Sequence, residues 1–302
     1  MTFIVSLAHF CEVHGPSMIM CTQVVNDEKN LANYYSPQLP ESQFCQSCMF
    51  QLPKIGYKGS ELSKQKSNAT NQTTSTVTTD DQITPQNSTT SDHSDPNEEA
   101  SKTLTLEDQI STLMSSSKDT IKEKRCMTLK TRSKNNNSTH FISTQFPSNT
   151  EIYSSLRQTI VRIFTAETNA DLSKPIYIGN SKHGYTLALT FSLVDKTARG
   201  SERKYALIVT SDIEADLFKN YTFILINLKE MVKSILIKAR DKQSVIESTD
   251  LHNNDIYLRR SAGLPKAKSM IEILQDEKFF IKVHLWASYM LDVLGNGGID
   301  VN

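Results

Sequence analysis

Phe3, Val5 and Leu7 alternate with more variable neighbours, which is the period of a β-strand. The turn-forming run His14-Gly15-Pro16-Ser17 follows, and residues 18–22 predict a second short strand. The chain therefore opens with a hairpin whose loop exceeds two residues. Much further on, Pro147-Ser148-Asn149-Thr150-Glu151 has the form of a helix start. Ser148 is the expected cap, and Glu151 stands three residues later as in a capping box. Ile152, Leu156, Ile160 and Ile163 continue at helical spacing. Residues 176–178 predict a short strand. Tyr185, Leu187, Leu189, Phe191 and Leu193 alternate strictly with Thr186, Ala188, Thr190 and Ser192, the pattern of a half-buried strand. Residues 204–210 predict a fifth and more buried one.

The remainder reads as helical. Leu225, Leu228, Val232, Ile235 and Ala239 form one stripe. Phe279, Val283, Trp286, Met290 and Val293 form another, with Gly295 as its stop. Residues 241–267 are polar, end in Gly263-Leu264-Pro265 and predict a flexible connection. The predicted order is β-β-(insertion)-α-β-β-β-α-α. Strands that adjoin strands without αβ alternation imply an α/β fold of the α+β kind, a five-stranded antiparallel sheet packed by helices.

Composition locates the insertion. Between residues 66 and 95 the chain is dominated by Ser, Thr, Asn and Gln, and only Val77 and Ile83 are sizeable apolar groups. Such a stretch cannot bury enough surface to offset its ordering entropy. Residues 26–139 are read as one long, mostly disordered insertion after the second strand. Residues 1–25 form the first hairpin, 140–295 the rest of the domain and 296–302 a tail. The 33 basic and 33 acidic residues cancel, which argues against a general nucleic-acid or polybasic membrane binder. No apolar run is long enough for a membrane span, and the N-terminus lacks the basic start of a signal peptide. Five cysteines, an odd count without an export signal, read as reduced thiols.

The N-terminal run Val5-Ser6-Leu7-Ala8-His9-Phe10-Cys11-Glu12-Val13-His14-Gly15-Pro16, followed by Cys21-Thr22, resembles the start of the folliculin family. Cys45-Gln46-Ser47-Cys48 within a polar insertion fits that family too. So do Arg157-Gln158, the stretch from Gly179 to Tyr185, and the run from Asp195 through Ala198-Arg199-Gly200 to Tyr205. The element order is similar to that of a longin domain, the profilin-like module of trafficking proteins. Because the chain stops soon after the last helix, it resembles the short, longin-only members of budding-yeast type. The resemblance implies a heterodimer with a folliculin-interacting-protein orthologue, itself a longin/DENN protein. That pair would be a GTPase-activating complex for Rag-type GTPases, cytoplasmic and recruited peripherally to the vacuolar (lysosomal) membrane. Its role would be amino-acid signalling to rapamycin-target kinase complex 1. Pairing along an exposed sheet edge is the expected mode of dimerisation.

The resemblance also places an arginine finger at Arg199, with Gly200 letting the turn bend and Arg203 in support. A guanidinium entering a neighbouring GTPase neutralises charge on the transferred phosphoryl group. Without the family likeness, Arg199 reads as a solvated hairpin arginine and Arg203 as a surface charge at a strand end. His183 reads as a turn stabiliser. Cys45-x-x-Cys48 is half of a zinc site that His9, Cys11, His14 or Cys21 would have to complete. With no second Cys-x-x-Cys the expected metal content is none, and Cys11 and Cys21 read as core residues. There is no phosphate-binding Gly-rich loop, so no cofactor and no intrinsic catalysis are expected. The alternative is a non-catalytic longin adaptor in membrane trafficking, although no heptad region follows the helices to suggest a SNARE.

Overall fold

The computed structural model describes residues 3–26, 45–53, 109, 128–134, 136, 138–165, 174–195, 198–250 and 268–296. Most of the segment read as an insertion, the 251–267 connection and the tail from 297 on lie outside the described residues. Seven strands form one antiparallel sheet: β1 (Phe3–Cys11), β2 (Gly15–Val25), β3 (Leu129–Arg132), β4 (His140–Thr144), β5 (Ile176–Asn180), β6 (Gly184–Val194) and β7 (Glu202–Ser211). Their spatial order is β3-β4-β2-β1-β7-β6-β5. The N-terminal strand is thus central. The helices are α1 (Thr150–Thr165), α2 (Glu214–Lys219), α3 (Tyr221–Asp250), α4 (Met270–Leu274) and α5 (Phe279–Gly295).

The five expected strands are all present and contiguous, as β2-β1-β7-β6-β5. The expected strand number is corrected by the β3–β4 hairpin, which adds to the free edge of β2 through pairs such as Cys21↔Thr144 and Val25↔His140. Its strands are short, and β3 falls inside the 26–139 segment, where polar neighbours mask any periodicity. Residues 45–53, also from that segment, pack against the sheet. Phe50 is buried edge-to-face on Phe280, with ring centroids 5.3 Å apart.

Both faces of the sheet are covered. Phe3, Val5 and Leu7 face one layer, formed by Leu217 of α2, Ile224 and Leu228 of α3, Leu274 of α4 and Met290 of α5. Ile4 and Ala8 face the other, where Leu156, Ile160 and Ile163 of α1 pack on Ala188, Ala206 and Ile208. Each of the Val, Leu, Ile, Phe and Met side chains among these contributes about 1.5–3 kcal/mol when fully buried. This second layer corrects the half-buried reading of β6, because Thr186, Ala188 and Thr190 are as buried as Leu187 and Leu189. The alternation there is of large against small, and the small side leaves room for α1.

Two local details also differ. Asn149, not Ser148, caps α1: its Oδ1 accepts from Glu151 N at 2.8 Å and Ile152 N at 3.3 Å. The complete capping box lies at α4, where Ser269 and Glu272 satisfy each other's backbone N–H groups. α3 runs to Asp250, eleven residues past the last stripe position, Ala239, so the first ten residues of the expected 241–267 connection are helical instead.

Candidate functional site: the arginine turn and the thiol cluster

One end of the sheet carries both sequence-predicted features. Antiparallel pairing sets His9 of β1 opposite Tyr205 of β7, so the β1–β2 turn and the β6–β7 turn emerge at the same end. The His9, Tyr205 and Phe191 rings stack across three strands, with centroids 5.9 and 5.6 Å apart, and form the floor beneath.

Arg199 begins a single 3₁₀ turn, Arg199–Ser201, between β6 and β7. Gly200 has φ +79°, and open space lies where a Cβ would project. Ser201 follows at φ +61°. A non-glycine residue held in the left-handed region costs about 1–3 kcal/mol, and such strain concentrates at functional turns. Three backbone hydrogen bonds hold the turn: Asp195 N to Ser201 O at 2.9 Å, Ala198 N to Asp195 O at 2.9 Å, and Ser201 N to Ala198 O at 3.0 Å.

Arg203 is not the surface charge that its strand-end position suggests. Its side chain is 3% exposed, and Nε donates to Asp195 Oδ2 at 2.7 Å. Lys268 Nζ reaches the other carboxylate oxygen at 3.2 Å. Because Asp195 also anchors both ends of the turn through its backbone, the buried pair braces the loop that carries Arg199. The sequence reading quoted Asp195 only as the start of the family-like run and gave it no role; its pairing with Arg203, eight residues on, appears only in the fold. The β5–β6 turn is capped by the Asn180 side chain, and the His183 ring points to α1. Asn180 Oδ1 accepts from the N–H groups of Lys182 and His183, and His183 Nδ1 lies 3.2 Å from Ser155 Oγ.

The structure brings Cys45 and Cys48 to Cys11 and His14. All four donor atoms lie within 4.8 Å of one another. Cys11 ends β1 and His14 closes the three-residue turn before Gly15. The Val13 N–H donates back to Cys11 Sγ at 3.4 Å. Cys45 precedes and Cys48 ends the 3₁₀ turn Gln46–Cys48, where Cys48 N donates to Cys45 O at 3.0 Å. Neighbours outside the cluster fasten that turn. Ser47 Oγ donates to Lys268 O at 2.9 Å and lies 3.4 Å from an Arg203 guanidinium nitrogen, and Gln145 Nε2 donates to Cys48 O at 3.0 Å. Burial holds His9 neutral, its pKa lowered to about 4, and its Nε2 lies 3.2 Å from Cys48 Sγ. The hydrogen bond from Cys48 lowers the Cys11 thiol pKa, while Cys48 itself is pushed up. Cys21 stands apart, fully buried against Thr144 with its pKa raised to about 12 by burial. Cys11, Cys21, Cys45 and Cys48 are all free thiols.

Fold and site together define an α+β sheet protein covered on both faces, with a braced arginine turn and a four-donor thiol–imidazole cluster at one sheet end. No described helix is long and apolar enough to cross a membrane. Residues 139–294, just over half of the chain, match the folliculin family model, described as a vesicle coat protein involved in Golgi to plasma membrane transport. The chain belongs to the folliculin family. It is 22% identical to protein LST7 of Saccharomyces cerevisiae over 97% of this chain and 96% of that protein. It is 24% identical to Xenopus tropicalis folliculin over 98% of this chain, which spans only 46% of that relative. A folliculin-like protein, bhd1 of Schizosaccharomyces pombe, is 32% identical over 37% of this chain and 32% of its own length.

Proposed function

We propose that this chain is the arginine-bearing subunit of a heterodimeric activator of Rag-type GTPases. Its partner is a folliculin-interacting-protein orthologue, and the pair acts in amino-acid signalling to rapamycin-target kinase complex 1 at the vacuolar membrane. The observation that carries the reading is the β6–β7 turn: Ala198-Arg199-Gly200 stands on a short, strained, thrice hydrogen-bonded backbone braced by the buried Arg203–Asp195 pair. A finger acting in trans gains from such fixing, since less conformational freedom is lost when it enters a partner's site. Arg203 serves as the brace and is too buried to meet a phosphate. The attacking water and Mg²⁺ belong to the GTPase. We read the sheet as a longin sheet with the β3–β4 hairpin added; among the described residues its edge strands are β3 and β5, and these are where a partner's strand would pair.

The family model's description favours a second reading, a trafficking adaptor with no catalytic arginine. Single-turnover GTP hydrolysis by a Rag-type heterodimer separates the two, with this chain and its partner added as wild type or Arg199→Ala. In-trans fingers accelerate hydrolysis by about 10³–10⁵-fold. Loss of that acceleration with assembly intact supports the finger. Equal acceleration by both proteins assigns it elsewhere, and no acceleration by either supports the adaptor.

A further inference from the structure

We propose that Cys11, His14, Cys45 and Cys48 bind one zinc ion in a closed, four-coordinate structural site. The donors come as two turns of equal spacing, Cys-x-x-His at the hairpin tip and Cys-x-x-Cys in the 3₁₀ turn. Zinc takes thiolate sulfur at about 2.3 Å and imidazole nitrogen at about 2.0–2.1 Å. A tetrahedron of those radii has S···S edges of about 3.8 Å and S···N edges of about 3.6 Å. The structure has Cys11 Sγ to Cys45 Sγ at 3.8 Å, Cys11 Sγ to His14 Nδ1 at 3.7 Å and Cys48 Sγ to His14 Nδ1 at 3.5 Å. Three of the six edges thus match a metal-sized tetrahedron, and the other three are no longer than 4.8 Å. In a disulfide the sulfurs would sit about 2.0 Å apart and the imidazole would have no part.

Three soft sulfurs and one nitrogen in this shape select zinc over oxygen-preferring cations. All four positions are filled by protein, so the ion is structural and not a Lewis acid for substrate. The surroundings suit ligands already held in place. Val13 N–H points at Cys11 Sγ and His9 at Cys48 Sγ, the outer contacts that orient thiolate ligands. The ion would pin residues 45–53 to the end of the sheet, where Phe50 and Ser47 already dock. Ser47 touches Arg203, so the ion also steadies the turn carrying Arg199. That last consequence rests on the reading of Arg199 given above, whereas the site itself does not.

The test is metal content. The full chain, purified without chelator and dialysed against metal-free buffer, is measured by plasma mass spectrometry beside Cys45→Ser/Cys48→Ser and the off-site control Cys21→Ser. The expected result is one zinc per chain for wild type and the control, and its loss in the double variant. Wild-type protein is also stripped and reloaded with Co²⁺ alone, which avoids reliance on a variant that fails to fold. A tetrahedral d–d envelope with a thiolate-to-metal charge-transfer band is expected. Zinc at buffer level together with no tetrahedral cobalt spectrum overturns the proposal. None of these readouts depends on GTP hydrolysis, so failure here leaves the role of Arg199 standing.

Discussion

His284 makes this fold acid-sensitive in a way that one substitution removes. It lies on α5 and is fully buried against the sheet. Nδ1 is 2.6 Å from Ser143 Oγ, which in turn is 2.7 Å from Thr22 Oγ1. Nε2 is buried with no hydrogen-bond partner among the described residues. A second ring proton therefore meets no acceptor, and burial lowers the pKa from 6.5 to about 3. The folded value lies below the unfolded one, so the unfolded chain binds more protons between them. Stability is full above the unfolded value and falls as pH drops from 6.5 toward 3. At about pH 5 the imidazole must stay neutral about 1.5 units below its unfolded pKa, a cost of about 2 kcal/mol. The assay is urea unfolding followed by Trp286, the sole tryptophan and a near neighbour on α5. Wild type and His284→Gln are compared at about pH 7 and about pH 5. Carboxylate contributions are common to both and cancel in the comparison. Wild type should lose about 2 kcal/mol more than the variant. Equal losses would show that His284 takes up its proton without penalty, and would refute the reasoning.

Asp195→Ala strands the buried Arg203 guanidinium and should cost about 3–5 kcal/mol in chemical unfolding. Lys268→Ala, which removes the partner that is one-third exposed, should cost at most about 1 kcal/mol. Asn149→Ala should lose about 1 kcal/mol by uncapping α1, and Ser148→Ala should be near neutral in the same melt. Arg199→Lys should fail to restore the hydrolysis lost in Arg199→Ala, because an ammonium lacks the planar fork that spans two phosphoryl oxygens.

The opening hairpin, α1, β6, β7 and the last helix were legible from apolar spacing, because each is long enough to show its own period, and the five-residue β5 was legible from its Ile176-Tyr177-Ile178 run. The β3–β4 pair was not: β3 has one apolar group, Leu129, and β4 is buried at all five positions with polar His140, Ser143 and Thr144 among them, so neither strand shows an alternation. Of the site, the Ala198-Arg199-Gly200 turn and the Cys45-x-x-Cys48 half of the thiol cluster could be read along the chain, whereas Cys11 read as a core residue and His14 as one of four possible complements. Their meeting could not: Cys11 and Cys45 are 34 residues apart. What joins them is the end of β1 together with the docking of Phe50 on Phe280.

Local order along the backbone therefore determined where strands, helices and turns begin, because hydrogen-bond period and side-chain alternation act over a few residues. Tertiary structure alone decided which strands became neighbours, that α1 would cover the second face, and that Arg203 would be buried against Asp195. It also decided that four donors from two distant turns would come within 4.8 Å of one another. Those outcomes depend on which apolar faces exclude water together, and that is a property of the assembled sheet and helices and not of any one segment.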